Sequence, residues 1–167
     1  PALVAGRSEH ACCAVRGTLV VLGGITQEGG RTSSVEMLSS SEEGGAFVEL
    51  PPLSCGAIYD AAAIAVEESD SAAGQVLLLG GSGDDYRPVS TVQLVDLATG
   101  ECAPQSNLLH RRAYAAAGRL PDGRIVRAGG IGVDESSAEV WGPPEQGAAD
   151  APWIWRELPK ISAGRFA

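Results

Sequence analysis

The chain has little of what catalysis or a membrane span would need. Its 167 residues hold two histidines, and its four cysteines form no C-x-x-C pair. No G-x-S-x-G elbow and no P-loop is present, so two common nucleophile and phosphate devices are missing. There is no apolar run of the roughly 18 residues that a transmembrane helix requires, and the start lacks the charged-then-apolar pattern of an export signal. Basic residues are scarce: 12 Lys and Arg stand against 21 Asp and Glu, a formal net charge of −9. That balance argues against nucleic acid as a partner, because phosphate neutralisation needs clustered Lys and Arg.

The residues that remain suggest structure before chemistry. His10 and His110 are isolated, and a metal would need help from carboxylates to use them, so no metal and no cofactor is expected. Cys12, Cys13, Cys55 and Cys102 read as buried thiols acting as small hydrophobes, from which an intracellular, cytoplasmic compartment follows. The acids gather at Glu42-Glu43, Glu67-Glu68-Ser69-Asp70, Asp84-Asp85 and Asp134-Glu135. Solvated loop charge explains them, with cation or basic-partner binding as the alternative. Gly80-Gly81-Ser82-Gly83-Asp84-Asp85 has glycines enough to cradle phosphate, but its acids would repel one. It reads as a loop leaving a strand.

What the chain does have is repetition. Gly-Gly follows a short apolar run three times, at Leu19 to Gly24, Val76 to Gly81 and Ile125 to Gly130. Each run has strand length, and glycine supplies the positive φ of a sharp exit. Matching Arg7, Ala57, Arg112 and Arg165 gives periods of 50, 55 and 53 residues. Glycine-marked periods of about 40 to 50 residues are characteristic of propeller blades. Each unit offers four strand-like pieces. The first piece is thin, as in Ala11-Cys12-Cys13-Ala14, Ala61-Ala62-Ala63-Ile64-Ala65 and Tyr114-Ala115-Ala116-Ala117-Gly118, which suits a strand crowded around a central axis. An alanine-rich helix is the alternative, but turn signals such as Leu120-Pro121-Asp122-Gly123 follow too soon.

The order Arg7-Ser8, a small-residue strand, Leu19 to Gly24, Ser34-Val35-Glu36 and an aromatic before Leu-Pro resembles a kelch repeat. Trp155-Arg156-Glu157-Leu158-Pro159 fits its ending, and Phe47-Val48-Glu49-Leu50-Pro51 is a close variant. Unit two departs, with Cys102 in the aromatic place and a longer first hairpin. The expected fold is all-β: a partial kelch-type β-propeller spanning 1–167, with three four-stranded antiparallel blades at approximately 7–56, 57–111 and 112–164. Three units are fewer than the roughly four to eight that closure takes, so the chain is expected to be a slice of a longer kelch protein. Self-association through open blade edges is the other route to closure.

The resemblance implies a protein-protein interaction module, of the sort that serves as a ubiquitin-ligase substrate adaptor or a cytoskeletal scaffold. A kelch-like enzyme of the oxidase or sugar-processing type is the alternative. Tyr59, Tyr86 and Tyr114 lack the histidine set of such oxidases, so no catalytic residue is expected. The resemblance places Arg7, Ser8, Arg112 and Arg165 at the mouth of the central channel. Guanidinium groups there would suit an acidic peptide; bonding to carbonyls between blades is the competing role.

Overall fold

The computed structural model describes residues 1–40, 44–66, 71–132, 134–144 and 151–164. Among these residues there is no helix. The elements in chain order are β1 (Arg7–Ser8), β2 (Ala11–Val15), β3 (Thr18–Leu22), β4 (Ile25–Thr26), β5 (Val35–Leu38), β6 (Phe47–Leu50), β7 (Ala62–Val66), β8 (Gln75–Leu79), β9 (Val92–Asp96), β10 (Cys102–Pro104), β11 (Arg112–Ala113), β12 (Ala116–Arg119), β13 (Ile125–Ala128), β14 (Ile131–Gly132), β15 (Ala138–Gly142) and β16 (Ile154–Leu158).

They form three four-stranded antiparallel sheets, β2-β3-β5-β6, β7-β8-β9-β10 and β12-β13-β15-β16. These are three propeller blades, as the repeat predicts. Two short pairs, β1-β4 and β11-β14, cap blades one and three. Blade two reduces that cap to a single bridge between Tyr59 and Ser82.

The innermost strands β2, β7 and β12 pack side by side, with β7 in the middle. Their alanines let three backbones approach one axis. The second strands carry the core. In β8, Val76 and Leu78 join a cluster with Val20, Leu22 and Val95, while Leu77 and Leu79 join Ile125 and Trp155 in another. Alternate side chains thus face opposite neighbours. That is why Val76-Leu77-Leu78-Leu79 is apolar throughout: the middle blade is covered on both faces.

The first two Gly-Gly pairs sit at the junctions between blades. Gly24 N–H donates to Ile58 O of the next blade at 2.9 Å, and Gly81 N–H donates to Arg112 O at 2.9 Å. A Cβ on Gly23 would lie 2.1 Å from Ile58 O, and one on Gly80 would lie 2.6 Å from Arg112 O. Only glycine permits that approach.

These junctions also correct the spacing. Ile58, not Ala57, takes the place of Arg7 and Arg112, because Tyr59 pairs with Ser82 as Ser8 pairs with Ile25 and Ala113 with Ile131. The long connection before β7 hides this one-residue shift from sequence spacing.

Trp155 is buried between blades two and three, and its indole N–H donates to Ser106 O at 2.9 Å. Cys102 packs toward the blade-one cluster from the same position of its own blade. By that geometry Phe47 points away from blade two, and it is half-buried instead of lying between two described blades. Cys12 and Cys55 are exposed, contrary to the expectation of buried thiols. The acidic segments 42–43 and 67–70, and Arg165, lie outside the described residues.

Candidate functional site

The two described arginines of the expected channel-mouth set turn inward. Arg7 donates to Ala5 O at 3.2 Å, Gly23 O at 3.0 Å and Ser34 O at 3.1 Å, and it pairs with Glu36. Its side chain is 1% exposed and that of Glu36 is fully buried. Glu36 also accepts the Val4 N–H at 2.7 Å and the Ala5 N–H at 3.1 Å. Arg112 repeats this plan. It donates to Gly129 O at 2.9 Å and Ser137 O at 3.0 Å, and lies 3.0 Å from the Glu139 carboxylate. Leu109 N–H donates to the other oxygen of Glu139 at 2.7 Å.

These guanidinium groups bind carbonyls and a carboxylate of their own blade and offer no donors to a ligand. This geometry favours the competing role for Arg7 and Arg112, bonding to carbonyls, here those of their own blades. Burial lowers the Arg112 pKa against the pull of Glu139 and Asp134. Ser8 is exposed but sits on a short edge pair with Ile25.

Blade two replaces the whole arrangement. Ile58 stands where the arginine would be, and Gln93 stands where Glu36 and Glu139 do. Charge is lost from both partners together, so neither is left buried alone. Blade three carries one charge more. Arg127 is fully buried beside Arg112 and Glu139, and its guanidinium has no hydrogen-bond partner among the described residues. Desolvation, with Arg112 adding to it, brings its pKa down to about 10.

The mouth itself is built two residues further along the chain. Glu9, Asp60 and Tyr114 occupy equivalent places and share left-handed backbone, with φ of 56°, 55° and 52°. They form a ladder across the blades: Asp60 N–H donates to Glu9 O at 2.8 Å, and Tyr114 N–H donates to Asp60 O at 3.1 Å. Non-glycine residues at positive φ are uncommon and mark places worth attention.

Their side chains line a cavity of about 370 Å³ with Tyr59, Ser82 and Tyr86. A smaller concavity of about 280 Å³ shares Glu9, Asp60 and Tyr114 and adds His10. Asp60 is 7% exposed, and its Oδ1 has no hydrogen-bond partner among the described residues. Burial lifts its pKa to about 6, opposed by a hydrogen bond from Tyr114 and assisted by Glu9. The Tyr114 phenol is in turn pushed up to about 12 by burial and by Asp60.

One wall is aromatic. Tyr86 is 70% exposed and meets Tyr59 edge-on at 6.3 Å. Arg31 of blade one lies 4.3 Å above the Tyr86 ring, donates to Gly83 O at 3.3 Å and pairs with Asp84 at 3.5 Å. The half-buried arginine of the blade-one loop therefore braces the blade-two loop.

The sequence reading passed over Glu9 and Asp60. The shift to Ile58 at blade two hid their equivalence. The signal was present in Glu9 and Tyr114, each two residues past an arginine. Chemically the mouth offers carboxylates, phenols and ring faces; it accepts hydrogen bonds and attracts cations. Among the described residues no group of three or more His, Cys, Asp or Glu is placed to hold a metal ion.

Three antiparallel blades joined at glycine pairs, with a concave mouth at their inner edge, define a β-propeller assembly. Residues 6–54 match the family model of the Kelch motif. The first blade is thus a kelch repeat, and the two that follow are built on its plan. None of the curated proteins matches the chain.

Proposed function

We propose that this chain is a protein-interaction module whose mouth receives a positively charged segment of a partner protein. The observation that carries this reading is Asp60: a carboxylate more than nine-tenths buried, with one unpartnered oxygen, lining a concavity shared by three blades. A buried acceptor of this kind is costly to leave unmatched, and a Lys or Arg head satisfies it. Glu9 adds a second carboxylate, and the exposed Tyr86 ring suits the methylene stem of a basic side chain. The net charge of −9 draws basic partners toward the surface. The same field repels an acidic peptide, so the partner has the opposite sign to the one a ring of arginines would select.

Fluorescence anisotropy with length-matched basic and acidic peptides tests this. The basic peptide binds, the acidic one does not, and Asp60→Asn weakens the basic peptide on the order of tenfold or more, as loss of one charge-assisted contact does. Binding of the acidic peptide, or basic-peptide affinity indifferent to Asp60→Asn, would refute the proposal.

A further inference from the structure

We propose that Cys55 and Cys102 are a peroxide-responsive dithiol that closes into a disulfide, a modification site independent of the channel mouth. The side chains of Cys55 and Cys102 are neighbours close enough to interact. Their backbones are held together from both sides. Ser54 N–H donates to Gly100 O at 2.9 Å, and Cys102 N–H donates to Ser54 Oγ at 2.9 Å. Gly100, at φ 74°, brings its turn so close to the connector that a Cβ there would lie 2.3 Å from Pro52 O. The connector entering blade two is therefore held against that blade's outermost strand right beside Cys55 and Cys102.

Access and reactivity agree with this geometry. Cys55 is exposed and Cys102 half-buried, so small oxidants reach them. The neighbouring Cys55 side chain, with Ser54 helping, holds the Cys102 thiol below its usual range, while Cys55 is pushed up. One proton leaves the pair readily and the second is retained. The thiolate is the nucleophile in such chemistry, and a neighbouring thiol resolves it. The other cysteines lack this arrangement. Cys12 and Cys13 are adjacent in β2 and point to opposite faces; burial, with Cys12 beside it, pushes Cys13 up to about 12.

The step balances with hydrogen peroxide as the oxidant. The Cys102 thiolate attacks one peroxide oxygen, the O–O bond breaks, and the departing hydroxide takes up the proton that Cys102 released. This leaves a sulfenic acid and one water. The Cys55 sulfur attacks the sulfenic sulfur, the S–O bond breaks, and the leaving hydroxide takes the Cys55 proton. The products are a disulfide and a second water, with two electrons passed from the thiols to the peroxide. A dithiol reductant reverses the bond by exchange.

The experiment treats the full chain with near-stoichiometric hydrogen peroxide, alkylates the remaining thiols and maps the peptides by mass spectrometry. A Cys55–Cys102 bridge is expected, reversed by dithiothreitol, with the melting temperature raised by roughly 5 °C or more because the link closes a long loop. Cys55→Ser should leave Cys102 trapped as a sulfenic acid that dimedone labels. Cys102→Ser should leave Cys55 reduced. Should the serine variants fold poorly, mapping of the wild-type chain decides alone. Oxidation of Cys12 while Cys55 and Cys102 stay reduced, or a bridge between any other pair, would overturn the proposal.

Discussion

Blades one and two solve the same position in opposite ways. Blade one holds Arg7 against Glu36, both side chains nearly or fully buried. Blade two holds Ile58 and Gln93 in their places. A buried ion pair gains little over an apolar replacement of similar shape, but half a pair is costly because one charge is left without compensation. The two blades therefore differ by a joint exchange. The lesson for function is that a repeated arginine near the axis is a brace within a blade, and the ligand-facing chemistry must be sought elsewhere.

The comparison is broken most sharply by removing one charge. Arg7→Ile should destabilise the chain by about 3–5 kcal/mol in urea unfolding, since Glu36 is stranded. Arg7→Ile with Glu36→Gln, which gives blade one the chemistry of blade two, should recover most of that loss. If the double variant is no better than the single, the arginine contributes by packing and the pairing argument is wrong. Blade three sharpens the contrast. Glu139→Gln should cost more than Glu36→Gln, because it leaves both Arg112 and Arg127 without their carboxylate.

Trp155→Ala comes next, at roughly 3 kcal/mol, within the range for buried aromatic truncation. Phe47→Ala should cost less than half as much, because its ring is only half-buried. Equal losses in parallel melts would show that the outer-strand aromatics act alike in the two blades, against the geometry described here.

Much of this architecture was legible in the sequence, and for physical reasons. Gly23-Gly24 and Gly80-Gly81 announced the junctions because a Cβ on Gly23 or Gly80 would lie 2.1 to 2.6 Å from a carbonyl of the next blade. Thin inner strands and an all-apolar β8 followed from crowding at the axis and from cover on both faces. The chemistry at the mouth was less legible. Arg7 and Arg112 are marked by their repeat, yet a repeat does not say whether a side chain turns in or out. Asp60 stands out only through its three-dimensional setting: left-handed backbone, burial and an unmatched oxygen. The chain from the start of β6 to the start of β7 is one residue longer than that from the start of β10 to the start of β12, which displaced the alignment and removed Asp60 from the comparison with Glu9 and Tyr114.

A smaller effect follows from the raised pKa of Asp60. A carboxylate whose folded pKa lies at about 6, above its ordinary 3.8, binds protons more tightly in the folded state. Its contribution to stability is full below pH 3.8 and is lost as pH rises through 6. Asp60→Asn should therefore gain about 1–3 kcal/mol at pH 8 and nothing below pH 3.8. Glu9, Tyr114 and His10 share its surroundings, so Glu9→Gln should shrink that gain by removing the neighbouring charge. A gain of equal size at both ends of the pH range would show that ionisation is not its source.

The most direct test of the central claim is calorimetric titration of a lysine-bearing peptide at pH 5 and pH 7.5, with wild type and Asp60→Asn, each also carrying His10→Gln to keep the imidazole out of the comparison. The acidic mouth predicts that the Asp60 background binds on the order of tenfold more tightly at pH 7.5 than at pH 5, while the Asn background binds weakly and alike at both. Equal affinity for the two backgrounds at pH 7.5, or tighter binding at pH 5, would contradict it.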